Sequence, residues 1–138
     1  MRRDSNDPQW KAVKKEVELR DGNKDRFVAC LSARQASYFF EKNKNNSYIR
    51  TLDPAHVLPV SKHPSIMYKA CNILTINRIA HEALDHSRSP ITGEVISSDR
   101  IKNWWKLILG RDQYLELIHY KPAMNYFNDC RFIDTPYI

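Results

Sequence analysis

Glycine is scarce, with three residues in 138, so no Gly-rich loop exists to cradle phosphates. No apolar run approaches the roughly 20 residues that span a bilayer, and no membrane association is expected. The opening stretch, Met-Arg-Arg-Asp-Ser-Asn-Asp-Pro, lacks the apolar segment of a secretory signal. Cysteine is also sparse. Cys30, Cys71 and Cys130 are odd in number, far apart, and form no CxxC pair. Neither a zinc ribbon nor a disulfide framework is suggested, and the expectation is buried or idle thiols in a reducing, cytoplasmic compartment. No repeat, low-complexity tract or linker divides the chain, whose length suits one domain spanning residues 1–138.

What is present is an ordinary globular mixture, 42% hydrophobic and 28% charged, with a formal net charge of +6. The excess is uneven: residues 1–50 carry 12 basic and 7 acidic side chains, and residues 51–138 carry 10 and 9. A basic balance favours a polyanionic partner, although +6 by itself is weak support.

The chain punctuates itself. Residues 8–20 predict a helix, with Asp7 as N-cap, Pro8 at the first position and Gly22 closing it. Its apolar stripe is Trp10, Val13, Val17 and Leu19, with Lys11, Lys14 and Lys15 facing out. Residues 26–40 admit both strand and helix, and residues 32–40 lean to helix. Residues 48–57 predict a strand and residues 58–70 a loop. Residues 71–76 have strand character and residues 77–86 helical character, with Ile79, Ala83 and Leu84 toward the core. Residues 98–109 predict an amphipathic helix capped by Ser97 or Ser98 and stopped by Gly110. Residues 111–119 predict another helix, and the tail from Lys121 an irregular segment anchored by aromatics. The fold class is α+β.

The order strand, loop, strand, helix puts His56 at a strand end and His81 on the following helix. Asp85 lies four residues beyond His81, on the same helical face. Imidazole and carboxylate at that spacing can share a divalent cation, suiting magnesium less well than manganese, zinc or nickel. Such a pair is more commonly a surface hydrogen-bond pair. A second histidine away from the pair can serve as a general base, because its ordinary pKa lies near neutrality.

This stretch resembles the HNH, or ββα-metal (His-Me finger), endonucleases. Their pattern has a strand-end His, a hydrophobic residue and a Pro, then an Asn, then a His nine residues later. Here these are His56 with Val57, Leu58 and Pro59, then Asn72, then His81. The phrase Asn72-Ile73-Leu74-Thr75-Ile76 is similar to the family's "N-L-V-T-L" strand, and Arg20-Asp21-Gly22 resembles the "R-D-G" often preceding the core. The resemblance implies a ββα-metal core at about 48–88, an N-terminal helix, and a C-terminal helical extension at about 97–138. It implies His56 as general base, Asn72 as a brace for the loop that orients His56, and His81 and Asp85 as ligands of one divalent ion (magnesium, manganese, nickel or zinc). The implied partner is DNA, most simply double-stranded, and the implied enzyme is similar to small stand-alone phage or mobile-element nucleases, working in the host cytoplasm if phage-encoded.

Three departures qualify it. The paired CxxC motifs that bind a structural zinc in many members are missing, so no structural zinc is expected and apolar packing must hold the core. Ala55 stands before His56 where the family usually carries a ligating Asp or His. Asp53, at the D-x-x-H spacing of related non-specific nucleases, either replaces that ligand, directly or through water, or forms a turn before Pro54. Arg78, Arg88, Lys62 and Lys69 flank the site as candidate phosphate contacts, and each is equally compatible with plain solvated surface. His63, His86 and His119 are expected to stay outside the chemistry. Trp104 and Trp105 fit a helix with one core and one half-exposed indole better than base stacking. A non-catalytic nucleic-acid-binding module that keeps the ββα shell is the alternative, and oligomeric state is left open.

Overall fold

Pro54 sits inside a predicted strand, and how a sheet tolerates it explains the centre of the fold. A computed structural model describes residues 6–119. Strands β1 (Leu52–His56) and β2 (Ile73–Asn77) pair antiparallel, with Pro54 opposite Thr75 and His56 opposite Ile73. The ladder is bounded by two bonds, from the Arg78 N–H to the Thr51 carbonyl and from the Val57 N–H to the Asn72 carbonyl, both 2.9 Å. Hydrogen-bonded pairs alternate with pairs whose backbone groups point away. The Pro54–Thr75 pair is of the second kind, so proline's missing N–H leaves no gap in the ladder.

The same phase turns the Thr75 N–H, the Asn77 N–H and the Ile73 carbonyl toward the outer edge of β2. Side chains close that edge. Asp21 accepts from the Thr75 N–H at 3.0 Å, Asp25 accepts from the Asn77 N–H at 3.2 Å, and Arg20 donates to the Ile73 carbonyl. Arg20 also donates to the Ala70 carbonyl at 2.7 Å. Asp21 is held in turn by Arg20 at 3.0 Å and Arg26 at 3.1 Å. Burial pushes its carboxyl upward, but the two guanidinium groups and the Thr75 N–H outweigh that and hold it below its ordinary range.

These residues end helix α1 (Pro8–Asp21), which Asp7 caps through the Gln9 N–H and Gly22 terminates at φ 62°. Trp10, Val13 and Val17 are buried along it, but Leu19 is 77% exposed, against expectation. Two residues past Val17 is about 200° around a helix of 3.6 residues per turn; the inward place one turn on belongs to Asp21. The ambiguous segment resolves into α2 (Arg26–Ala29), capped by Asp25, and α3 (Ala33–Lys42), opened by a Ser32/Gln35 capping box. The strand expected from residue 48 is shorter. Asn46 caps a 3₁₀ turn at Ser47–Arg50 by accepting from the Tyr48 N–H, and extended chain begins only at Leu52. A second 3₁₀ turn, Ala70–Asn72, replaces the start of the expected second strand.

Helix α4 (Arg78–Asp85) follows β2 directly, with Asn77 capping the Ala80 N–H. Ala80 and Leu84 are buried on it, and Ile79 packs on the core from a half-buried position. Helices α5 (Ser98–Leu109) and α6 (Arg111–Ile118) follow, α5 capped by Ser97. Strand alternation divides the packing. Ala55, Leu74 and Ile76 face the main core with Phe27, Phe39, Leu84, Trp105, Ile108 and Leu117, while Ile73 faces a smaller core with Trp10, Val13, Val17 and Ala70. Trp105 is buried and Trp104 half-buried against it.

Cys30 is a free thiol, pushed by burial and by Asp25 up to about 11, and Cys71 is buried in the main core. No described helix is long and apolar enough to cross a membrane. The irregular tail from Lys121, and the end of the expected C-terminal extension, lie outside the described residues.

Candidate active site

His56 closes β1, and the loop beyond it decides which ring nitrogen carries the proton. Its Nε2 lies 2.8 Å from the Met67 carbonyl oxygen, which can only accept, so Nε2 bears the hydrogen. In the neutral ring the lone pair is then on Nδ1. Met67 is set in place by a 3₁₀ turn, Pro64–Ile66, whose Pro64 carbonyl accepts from the Met67 N–H at 3.2 Å. The Trp10 indole stacks on the imidazole, centroids 5.6 Å apart and planes 24° apart. Trp10 also meets Tyr68, whose hydroxyl donates to the Asp7 carboxylate at 2.8 Å. The capping residue of α1 is thereby tied to the loop that aims His56. Neither Met67 nor the Trp10 stack was anticipated; Trp10 reads in sequence as plain core, and a backbone carbonyl leaves no side-chain signature.

Asn72 closes the same loop from its far end. It is fully buried, and its amide is satisfied on both sides by one residue: Oδ1 accepts from the Leu58 N–H at 2.8 Å and Nδ2 donates to the Leu58 carbonyl at 3.1 Å. With the Val57–Asn72 backbone bond, this clamps the two residues after His56 onto the residue before β2. Aspartate at position 72 would lose the donor, and alanine would lose both bonds.

A second cluster joins β1 to α4. His81 Nε2 lies 3.2 Å from an Asp85 oxygen, as their spacing predicts. His81 Nδ1 lies 3.1 Å from Asp53 Oδ2, on the opposite edge of the ring. Arg78, one turn before His81, grips the Asp53 carboxylate through Nη2 at 3.0 Å and Nε at 3.2 Å, and its guanidinium lies 5.0 Å from the Tyr48 ring centroid. Carboxylates on both edges of the ring favour its protonated form. Burial works against that charge, but Asp85 and Asp53 outweigh it and raise the His81 pKa. Burial likewise pushes Asp53 up, and the bonds from Arg78 and His81 reverse this and lower it.

The donor chemistry at His81 and Asp85 fits a divalent ion. His81 Nε2 and an Asp85 oxygen, the two donors that would hold it, stand 3.2 Å apart. Among the described residues no group of three or more His, Cys, Asp or Glu side chains is arranged to hold a metal ion. Asp53, for which a ligand role and a turn-forming role both stood open, is hydrogen-bonded to His81 Nδ1 and to Arg78. Ala55 is fully buried in the main core.

The remaining candidates separate by their partners. Arg78, expected among the phosphate contacts, has its charge engaged at 3.0 Å by Asp53 of β1. Arg88 is exposed and donates to the Gly93 carbonyl at 3.1 Å. Lys62 is exposed and Lys69 half-buried in the loop between the strands. His63, His86 and His119 are exposed, the last two at the C-terminal ends of α4 and α6. Strand alternation puts Asp53 on the α4 face and His56 on the α1 face, so β1 itself links the two clusters. No protein-family model, curated protein or solved structure matches the chain.

Proposed function

We propose that the chain is a metal-dependent endonuclease of the HNH type, hydrolysing phosphodiester bonds of DNA around a ββα-metal core. The observation that carries this reading is the orientation of His56. With Nε2 committed to the Met67 carbonyl, the neutral ring offers Nδ1 as the atom that takes a proton from water. The attack forms a bond from water oxygen to phosphorus and breaks the bond from phosphorus to the 3′ oxygen. The resulting imidazolium keeps its Nε2–H bond to Met67, and the stacked Trp10 face favours its charge. His81 and Asp85 would hold the divalent ion, which supplies stabilisation of the charge building on the phosphoryl group and the departing oxygen. Asn72 keeps the loop closed so that Met67 and His56 stay in register. Lys62, Lys69 and Arg88, with Lys11, Lys14 and Lys15 on the outer side of α1, neutralise phosphates along the duplex. The implied setting is a cytoplasm, that of a host cell if the chain is phage-encoded.

Supercoiled-plasmid nicking with magnesium, manganese or nickel tests this reading. His56→Ala is expected to lower the metal-dependent rate by about 10²- to 10⁴-fold, the range of a lost general base. Undiminished cleavage by that variant removes His56 from the chemistry. The alternative, a non-catalytic nucleic-acid-binding module, is favoured by one observation: Ala55 is buried where the resembled enzymes carry a ligand. It predicts retarded DNA in a gel with no metal-stimulated nicking by the wild type.

A further inference from the structure

We infer that Asp53 is a positioning residue that turns His81 so that Nε2 faces outward beside Asp85, and is not itself a ligand; the inference rests on the metal-dependent reading above. The two nitrogens of an imidazole present their bonding directions on divergent edges of the ring, so a carboxylate hydrogen-bonded at one edge does not share a cation bound at the other. Asp53 occupies the Nδ1 edge at 3.1 Å and Asp85 the Nε2 edge at 3.2 Å.

The two carboxylates also differ in setting. The Asp53 side chain is 15% exposed and that of Asp85 58%, so the outer group meets an ion arriving from water while the inner one is packed into the strand–helix junction. Asp53 is itself oriented by the fork of Arg78, from Nη2 to Oδ1 and from Nε to Oδ2. A carboxylate already paired with a guanidinium is a poor second ligand and a good fixed acceptor for an imidazole N–H. Arg78 and His81 lie one turn apart on α4, so one β1 residue sets both side chains. The arrangement has the carboxylate–imidazole–cation order in which an outer partner fixes the tautomer and ring angle of a ligating histidine.

Calorimetric titration of the full chain with Mn²⁺ tests the assignment, on wild type, Asp53→Asn, Asp53→Ala, His81→Ala and Asp85→Ala, each checked for folding by circular dichroism. Asp53→Asn keeps the shape and an acceptor for Arg78, so it decides the matter if Asp53→Ala does not fold. The expected result is about a 10- to 100-fold loss of affinity in the Asp53 variants, with binding abolished in His81→Ala and Asp85→Ala. A loss smaller than about tenfold overturns the role, and so does a loss as complete as that of His81→Ala, which would make Asp53 a ligand. Nitrogen-15 spectra of the Zn²⁺-loaded protein give an independent readout: His81 is expected to be protonated at Nδ1, and a ring bound to the ion through Nδ1 overturns the inference. If the wild type takes up neither ion, the metal-dependent reading fails and this inference with it. If the wild type binds and only the Asp53 variants are unaffected, the inference fails alone.

Discussion

Replacing Asp21 by alanine tests the idea that side chains substitute for a third strand along the outer edge of β2. The Asp21 side chain is 2% exposed and accepts from Arg20, Arg26 and the buried Thr75 N–H. Removing it does not strand both cations. Arg20 retains the carbonyls of Ala70 and Ile73, and Arg26, 28% exposed, can turn to water. Among the described residues, the group with no alternative acceptor is the Thr75 N–H, at a residue only 5% exposed. An orphaned buried donor costs about 1–3 kcal/mol, and the lost charge-assisted bonds, discounted for partial solvent screening, add about 1–2 kcal/mol. The expected loss is therefore about 3 kcal/mol, a large share of the 5–15 kcal/mol that typically holds a domain.

Urea denaturation followed by tryptophan fluorescence reads this directly. With a slope of about 2 kcal/mol per molar, the midpoint should fall by about 1.5 M. Asp21→Asn, which keeps one acceptor oxygen, should lose roughly half as much. Native-state hydrogen exchange localises the effect: the Thr75 amide should lose protection more than the Leu74 and Ile76 amides, which face β1. If Asp21→Ala stays within about 0.5 kcal/mol of wild type, or if Thr75 exchange is unchanged, the edge-closing account is wrong.

Asn72→Ala should destabilise by about 2–3 kcal/mol, from two lost hydrogen bonds and an unfilled space, and should reduce nicking beyond that loss because the loop aiming His56 opens. Equal activity per folded molecule would separate the loop from the chemistry. Stability should vary with pH in two windows in the metal-free protein. The lowered carboxyls of Asp21 and Asp53 contribute fully above their unfolded value near 3.9, and that contribution is lost as the pH falls through the lowered folded values. The raised His81 contributes fully below its unfolded value near 6.5 and is lost as the pH rises through the folded value. His81→Gln should flatten the second window in melting curves recorded across pH, and an unchanged profile would refute the assignment. Chelation with EDTA should abolish nicking and readdition of Mn²⁺ restore it, whereas cleavage that persists in EDTA contradicts a metal-dependent step.

Local signals were legible where they act within a few residues. Asp7 and Gly22 bracket α1, Ser97 and Gly110 bracket α5, and the four-residue step from His81 to Asp85 puts both side chains on one edge of α4. Expectation and structure part where a side chain captures the backbone locally. Tyr48 and Ile49 look strand-forming, but the Asn46 side chain captures the Tyr48 N–H first. What was illegible is long-range. That Arg20 and Asp21 face β2, that Asp53 faces Nδ1 of His81, and that the Met67 carbonyl selects the His56 tautomer all depend on distant segments meeting. The Arg-Asp-Gly triplet and the Asp53–His56 spacing do not disclose what these residues touch.

Proline at the middle of β1 and the Asp21, Asp25 and Arg20 plugs along β2 have a bearing on assembly. A neighbouring strand seeking to extend the sheet would find no amide at Pro54 on one side and groups already claimed by side chains on the other. The hairpin is thus capped at two strands, and self-association by strand addition is disfavoured on both flanks. Pairing of two such chains is therefore expected to use surfaces other than these strand edges.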